Sequence, residues 1–268
     1  MWVELKRIIK PCGVVVLFGS EPFSSLLRCS NLDWYKYDWI WEKNNAGNFQ
    51  LANIHPLKIH ENISVFYNEP LCYVFSNIIK QQMAIKNIDY KTVSNLELSK
   101  NNKPTGWLFN KLKGTQLPTF KQWSLICSLF EIENEYHSLL GKVPKVTYNK
   151  FLIDTNKTVS NKGKAGKLGH LSSNEQFYTQ KYTGYPKTIL RYNRENGLHP
   201  TQKPVELLEY LIKTYSNENE TVLDFTFGSC STGVACLNTN RNFIGIEKDE
   251  HYYKIGTDRL FQVLKGTV

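Results

Sequence analysis

A segment close to the C-terminal end of the sequence constrains the fold more than any other. An apolar strand, Thr221 to Leu223, ends in an acid, Asp224, and a turn rich in Gly, Ser and Thr leads into a helix from about Thr232. A second apolar strand, Asn242 to Ile246, ends in another acid, Glu247. Strand, small-residue turn, helix, strand and acid is the order found at nucleoside sites on doubly wound sheets.

The glycines and the second acid of this segment give the expected site its chemistry. Gly228 and Gly233 let the backbone pass close to a ligand, and a carboxylate at position 247 can accept both hydroxyls of a ribose. Many dinucleotide enzymes share this order, so the segment alone does not choose between nicotinamide dehydrogenases and other nucleoside-binding proteins.

The block His199-Pro-Thr-Gln-Lys-Pro-Val-Glu-Leu-Leu208, which precedes the segment, narrows the choice. Further matching stretches are Val14–Phe23, Trp39–Asn44, Gly47–Phe49, His60–Glu61 and Val65–Tyr67. In combination and order, these motifs resemble the amino-group DNA methyltransferases, which methylate adenine N6 or cytosine N4. The resemblance is to the subclass whose S-adenosylmethionine motif lies C-terminal, and it covers roughly residues 1 to 70 and 185 to 264.

The resemblance implies an α/β fold with a doubly wound, mostly parallel sheet and an inserted basic, largely helical module. We expect residues 1–72 and 185–268 to form the two parts of the methyltransferase core. Residues 73–184 would form a module that recognises the DNA target.

The resemblance also implies a set of residues that bind S-adenosylmethionine. They are His199, Thr201, Gln202, Lys203, Asp224, Phe225, Thr226, Gly228, Ser229, Glu247 and Lys248. The family pattern has Pro where this chain has Phe225, and Gly where it has Cys230. If position 230 requires a positive φ, the cysteine introduces strain that a glycine avoids.

A second set lies where the family has its target-base pocket. It comprises Phe18, Ser20, Trp41, Lys43, Asn44, Asn48 and Phe49. A flipped base needs aromatic or apolar faces and polar groups at its edge, which this set could supply. Trp39 and Trp41 can equally be core residues of a strand.

The loop that grips the target amino group in this family, Asp/Asn/Ser-Pro-Pro-aromatic, is missing. The chain has ten prolines and no two are adjacent, so we expect no catalytic residue here. Its expected place lies just upstream of Met1, with two strands of the sheet, so the chain resembles a family member that begins at an internal methionine. The sheet would then lack the strand expected between Val222–Asp224 and Val14–Phe18, and an upstream fragment becomes a candidate partner.

The charge distribution points to a polyanion. The formal net charge is +9, and residues 80 to 190 hold 17 lysines and 7 acids, a net of +10. A basic module on a neutral core favours double-stranded DNA as a partner, although a solvated lysine-rich surface gives the same count.

Cysteine spacing and hydropathy bear on location. The six cysteines form no CxxC pair, which favours reduced thiols and no metal site. No run of eighteen apolar residues exists, so we expect no membrane span and a cytoplasmic protein of bacterial or phage-encoded type.

Local patterns predict the remaining elements. Val14–Phe18 should be a strand buried on both faces, and Glu42–Glu61 a long functional loop between two strands. Residues 73 to 141 should form short helices, one of which begins at Pro118-Thr119. Lys157–Gly169 should form a loop.

The leading hypothesis is therefore a site-specific DNA methyltransferase of a restriction–modification type, with adenine N6 the favoured target and cytosine N4 the alternative. We expect the chain to be inactive alone. The competing hypothesis is a catalytically dead remnant that binds DNA or cofactor. A nicotinamide dehydrogenase is disfavoured because no GxGxxG motif follows Asp224.

Overall fold

A computed structural model describes residues 1–47, 49–68, 70–96, 106–114, 116–142, 145–161 and 176–266. The chain divides into two compact units, Met1–Thr147 and Tyr148–Val268. Both units contain helices and strands, which confirms the α/β class. The domain limits expected at residues 72 and 184 stay a prediction.

The first unit combines a small sheet with a group of helices. Its helices are α1 (Trp2–Ile8), α2 (Phe23–Cys29), α3 (Pro70–Lys86), α4 (Tyr90–Ser94), α5 (Trp107–Leu112), α6 (Phe120–Phe130) and α7 (Tyr136–Lys142). Its strands are β1 (Val14–Gly19), β2 (Tyr35–Gly47) and β3 (Lys58–Tyr67), with a short 3-10 helix at Phe49–Leu51. β3 lies between β1 and β2 and pairs antiparallel with both, and its residues Ile63 and Val65 are fully buried.

Two expectations for this sheet were wrong. Half of the predicted loop Glu42–Glu61 is strand, because β2 extends to Gly47 and β3 begins at Lys58, with the pairs Glu42–His60 and Gly47–Lys58 on either side of a register irregularity. Strand β1 was expected to be buried on both faces, but only Val15 is buried and its other residues are half-buried.

The helices predicted between residues 73 and 141 are confirmed as α3 to α7. They share a hydrophobic core built on Phe75, Leu108, Trp123, Ile126 and Phe130. The predicted start of α6 at Pro118-Thr119 is also confirmed. The Thr119 hydroxyl accepts a hydrogen bond from the Gln122 backbone N–H, and the Gln122 side chain accepts one from the Thr119 N–H, which forms a capping box.

The second unit contains a hairpin and a βαβ unit. Its elements are β4 (Ile153–Asn161), β5 (Gln176–Thr183), β6 (Ile189–Arg191), α8 (Val205–Tyr215), β7 (Thr221–Asp224), α9 (Ser231–Asn238), β8 (Asn242–Gly245) and α10 (Glu250–Leu264). β4 and β5 pair antiparallel. The loop predicted at Lys157–Gly169 was wrong for residues 157–161, which belong to β4, and residues 162–169 lie outside the described part of the chain.

The strand–turn–helix–strand order predicted from residue 221 onward is confirmed. β7 and β8 pair parallel, with Val222 opposite Phe243 and Leu223 opposite Ile244. Of the strand pairs described above, β7–β8 is parallel and the other three, β1–β3, β2–β3 and β4–β5, are antiparallel. β2 and β3 cannot be parallel because a connection of ten residues is too short for the crossover that parallel strands need.

Strand β7 is less buried than the sequence indicated. Val222 and Leu223 are half-buried, and among the described strands of this unit β7 pairs with β8 alone. Within the described ranges, no helix has both the length and the apolar character that a bilayer span requires.

Candidate functional site

The turn after β7 is closed by the carboxylate of Asp224. One oxygen accepts a hydrogen bond from the Thr226 backbone N–H at 3.0 Å, and the other accepts one from the Thr232 hydroxyl at 2.6 Å. Thr232 lies in the first turn of α9. The carboxylate therefore joins the end of β7 to the start of α9 and fixes the loop between them.

Two residues of this loop have left-handed backbone conformations. Gly228 has a φ of 51° and Cys230, the N-cap of α9, has φ 58° and ψ 32°. The suspected positive φ at position 230 is confirmed. A non-glycine residue there costs roughly 1–2 kcal/mol. Cys230 is fully buried, and burial raises the pKa of its thiol to about 12, so the thiol stays protonated and packs as an apolar group.

Glu247, just after β8, reaches back to the loop. One of its carboxylate oxygens accepts the Gly228 backbone N–H and the other accepts the Asp249 backbone N–H, both at 2.9 Å. The bonds from Asp249 and Gly228 hold the pKa of this carboxyl below its usual value. Each oxygen keeps lone-pair capacity for a further donor, because an ionised carboxylate has about four acceptor sites.

His199 covers the other side of Gly228. A Cβ at Gly228 would lie 3.3 Å from the His199 ring, so the ring approaches the loop backbone closely. The ring also packs against Tyr252, with centroids 4.2 Å apart. His199 Nδ1 accepts the Thr201 backbone N–H at 3.1 Å, which places the proton of a neutral ring on Nε2.

The residues after His199 turn toward the start of α8. Gln202 accepts a hydrogen bond from the Leu198 N–H at 3.2 Å, and Lys203 Nζ donates to the Thr201 carbonyl at 2.7 Å. The first amide of α8, that of Val205, donates a hydrogen bond at 2.8 Å to a carboxylate of the chain itself, that of Glu195.

Glu195 is a residue that the sequence analysis missed. Its second oxygen accepts the Gln202 side-chain amide at 3.2 Å and lies 3.7 Å from the Arg259 guanidinium. Because Glu195 lies ten residues before the helix residue Val205, it falls outside every local capping pattern, and only the folded chain reveals its role.

The structure therefore brings three of the predicted cofactor residues to one place: His199, Gly228 and Glu247. Asp224 and Thr226 shape the loop, and Ser229 is buried within it. Phe225 is half-buried and Lys248 is exposed.

A second missed residue, Phe227, lies under the loop. It is buried and packs against Phe243 and Tyr253, with ring centroids 6.5 and 5.8 Å apart. A Cβ at Gly245 or Gly256 would lie 2.7 Å from its ring, so both glycines are needed for this packing. No pattern in the sequence indicates that Phe227 packs between the two elements that carry Gly245 and Gly256.

The structure brings only some of the predicted target-base residues into contact with one another. Trp39 and Trp41 are 3% and 1% exposed, which favours the strand-core interpretation. Lys43 lies 2.5 Å from Glu61 and 4.8 Å from the Trp41 ring centroid. Phe18 is opposite Ile63 on β3.

The other members of this set lie on different elements and differ in exposure. Ser20 follows β1 and is half-buried, Asn44 is exposed on β2, and Phe49 is 74% exposed. Asn48 lies outside the described residues. Asp38, a carboxylate near the expected target site, forms an ion pair with Arg28.

The second unit thus combines a β–loop–α–β arrangement with an acid at or just after the end of each of its two parallel strands, an order typical of nucleoside sites in α/β proteins. Residues 1–258 match the sequence pattern of the N6/N4 DNA methylases, and the chain belongs to this DNA methylase family. Among the described residues, no group of three or more His, Cys, Asp or Glu side chains is placed to hold a metal ion.

Several known proteins are similar over short segments. A type II methyltransferase, M2.LlaDCHI of Lactococcus lactis subsp. cremoris, is 45% identical over 64 residues, 24% of each chain. The DNA adenine methyltransferase YhdJ of Escherichia coli is 47% identical over 62 residues, 23% of this chain and 21% of YhdJ. The chain thus matches about a quarter of the length of these relatives.

A solved structure was also found. The crystal structure of an M1.HpyAVI–SAM complex aligns with 96% of this chain and 78% of its own, at 20% identity and a TM-score of 0.49.

We predict that Cys230→Gly is more stable than Cys230→Ala by about 1 kcal/mol, because only alanine keeps the left-handed strain. Urea unfolding of both variants measures the difference. Cys236 supplies the control: it is also fully buried but lies inside α9, where alanine should be the more stable replacement by roughly 1 kcal/mol. An alanine variant at position 230 that is as stable as the glycine variant would contradict the left-handed conformation.

We predict that Glu247 stabilises the fold only when ionised. Its pKa is lowered from 4.5, so its contribution is present in full above pH 4.5 and is lost as the pH falls through the lower folded value. The difference in Tm between the unchanged protein and Glu247→Gln should therefore shrink on acidification. Glu218→Gln, at an exposed position in the same unit, should show no such trend. A difference that grows on acidification would refute the assigned hydrogen bonds.

Proposed function

We propose that this chain binds S-adenosylmethionine beside Gly228 and Glu247 and serves the methylation of an exocyclic amino group in DNA, with adenine N6 favoured over cytosine N4. The observation that carries the proposal is the Glu247 carboxylate, held by two backbone N–H groups at the carboxyl ends of two parallel strands. Nucleosides bind at this edge of α/β sheets.

The residues present fit the cofactor. Glu247 has acceptor capacity left for two ribose hydroxyls. At position 228, a side chain would be disfavoured by the positive φ of 51° and would meet the His199 ring at 3.3 Å. Ile246, 55% exposed beside Glu247, offers an apolar face to adenine. When bound, S-adenosylmethionine supplies an electrophilic methyl group on a sulfonium.

Methyl transfer requires more than this pocket. The amino nitrogen would have to be held in line with the methyl group while acceptors bind its hydrogens. As the new C–N bond formed, the bond between the methyl carbon and the sulfonium sulfur would break, and the nitrogen would give up one proton to one of these acceptors. In the family, the Pro-Pro-aromatic loop does this, and this sequence contains no adjacent prolines. We therefore propose that a methyltransferase fragment that carries this loop completes the site.

The basic segment is proposed as the DNA-binding part. Its net charge of +10 between residues 80 and 190 suits the phosphates of a duplex, and residues 73–184 would form the target-recognition module. We also propose a cytoplasmic location, where the six cysteines would stay reduced.

The alternative is a catalytically dead protein that binds DNA or cofactor. The missing loop favours it as much as it favours an enzyme that a loop-carrying fragment completes. The two differ in one respect: only the enzyme gains activity when the loop is supplied.

We predict that calorimetry on the purified chain detects binding of S-adenosylmethionine or its demethylated product. Glu247→Ala should weaken binding by roughly 1.5–3 kcal/mol, the contribution of a hydrogen bond to a charged group. Glu218→Ala, in the turn between α8 and β7, should bind like the unchanged chain. The absence of heat at about millimolar ligand, with an active family member as positive control, would rule out the proposed cofactor site.

We predict that the chain alone transfers no tritium from labelled cofactor to mixed-sequence DNA. Adding a polypeptide that carries the Pro-Pro-aromatic loop should produce transfer, and Asp224→Ala should abolish it because the cofactor loop loses its closing hydrogen bonds. Transfer by the chain alone that disappears in the Asp224 variant would show that the loop is dispensable. If the chain binds cofactor but the mixture with the loop-carrying polypeptide still transfers no tritium, the result would favour the catalytically dead protein.

A further inference from the structure

We propose that α5 is the helix that reads base edges in the major groove of duplex DNA. The proposal rests on the proposed function only in taking duplex DNA as the substrate. It goes further by assigning sequence recognition to one helix face, which carries Phe109, Asn110 and Lys113.

The inner face of α5 is anchored on the helical core. Trp107 and Leu108 are 8% and 0% exposed, and the Trp107 indole N–H donates to the Ser94 carbonyl at 3.1 Å. At the other end, the Ser76 hydroxyl donates to the Leu112 carbonyl at 2.7 Å. Both ends of α5 are thus bonded to other helices, so its outer face is presented in a fixed orientation.

The outer face carries three chemically different side chains. Phe109 is 53% exposed, Asn110 is exposed beside it, and Lys113 lies one turn further with its ammonium 4.4 Å from the Phe109 ring centroid. An asparagine can bond both N6 and N7 of adenine, an apolar ring can contact the thymine methyl group, and a lysine can bond guanine or phosphate.

The charge around this face favours a polyanion. Residues 106–130 contain no acid, and two of their three lysines, Lys113 and Lys121, are exposed, whereas Lys111 is buried and bonded to Gln116. The first acid after them, Glu131, bonds to Lys86 on α3 at 2.6 Å. A phosphate backbone on either side of α5 would therefore meet lysines without a neighbouring carboxylate in the sequence.

The dimensions also suit a duplex. Six helical residues span about 9 Å, a little under three base-pair steps, and the major groove is about 12 Å wide. We therefore expect α5 to specify a core of about three base pairs.

Selection from a randomised duplex library by the full chain, without cofactor, tests the assignment. The unchanged chain should enrich a motif, and Asn110→Ala or Phe109→Ala should reduce its preference for that motif over scrambled duplex by roughly 10-fold or more. Both residues are exposed, so the variants should keep the circular dichroism spectrum of the parent.

A charge-matched pair separates base reading from phosphate binding. Lys113→Ala should reduce the slope of log affinity against log salt by about 0.9. Lys86→Ala removes the same charge, but this lysine is bonded to Glu131, so the motif and the slope should both persist.

The assignment is overturned if the unchanged chain enriches no motif, or if the Phe109 and Asn110 variants enrich the same motif with the same preference. The assignment is also overturned if the α5 face binds a protein more tightly than it binds duplex DNA. Because the selection contains no cofactor and measures no methyl transfer, its outcome is independent of whether the cofactor site or the methyltransferase activity fails.

Discussion

The Asp224 carboxylate is the constraint on which the rest of the nucleoside site depends. By bonding Thr226 and Thr232 it fixes both ends of a tight loop, and two residues of that loop then take left-handed conformations. Only this path aims the Gly228 N–H at Glu247, which settles the position of the second acid. A cysteine at the left-handed position 230 strains the loop without removing it, because burial of the cysteine offsets part of the cost.

The helical module, α3 to α7, holds a polar surface in a fixed orientation. Its core is large and aromatic, and hydrogen bonds from Trp107 and Ser76 hold both ends of α5. In the proposed complex with DNA, the lysines would supply an affinity for any duplex that falls with salt, whereas amide and aromatic groups on a fixed helix could distinguish bases. Affinity for any duplex and discrimination between bases are compatible within one small module because they depend on different side chains of the same surface.

The sequence predicted the βαβ unit and the helices well because their signals are local. Apolar runs ended by acids, and a Thr–Gln capping pair, need only a few neighbouring residues to be recognised. The errors arose where distant segments decide the outcome. The β2–β3 ladder extends through polar residues that cross-strand pairing holds in place, and Glu195 reaches the first amide of α8 from ten residues away. The burial of Trp41 likewise depends on packing that no periodicity reveals.

Among the described strands of its unit, the βαβ unit forms a sheet of two strands, and this bears directly on the chemistry. Parallel strands normally lie in sheets covered on both faces, yet Ile244 and Ile246 are 54% and 55% exposed, and among the described strands of the unit β7 pairs with β8 alone. An unpaired edge favours the addition of another strand. A strand added parallel to β7 would end at the same edge of the sheet as Asp224 and Glu247. The loop that follows such a strand would then emerge beside the cofactor pocket, where a group that grips the target amine has to lie.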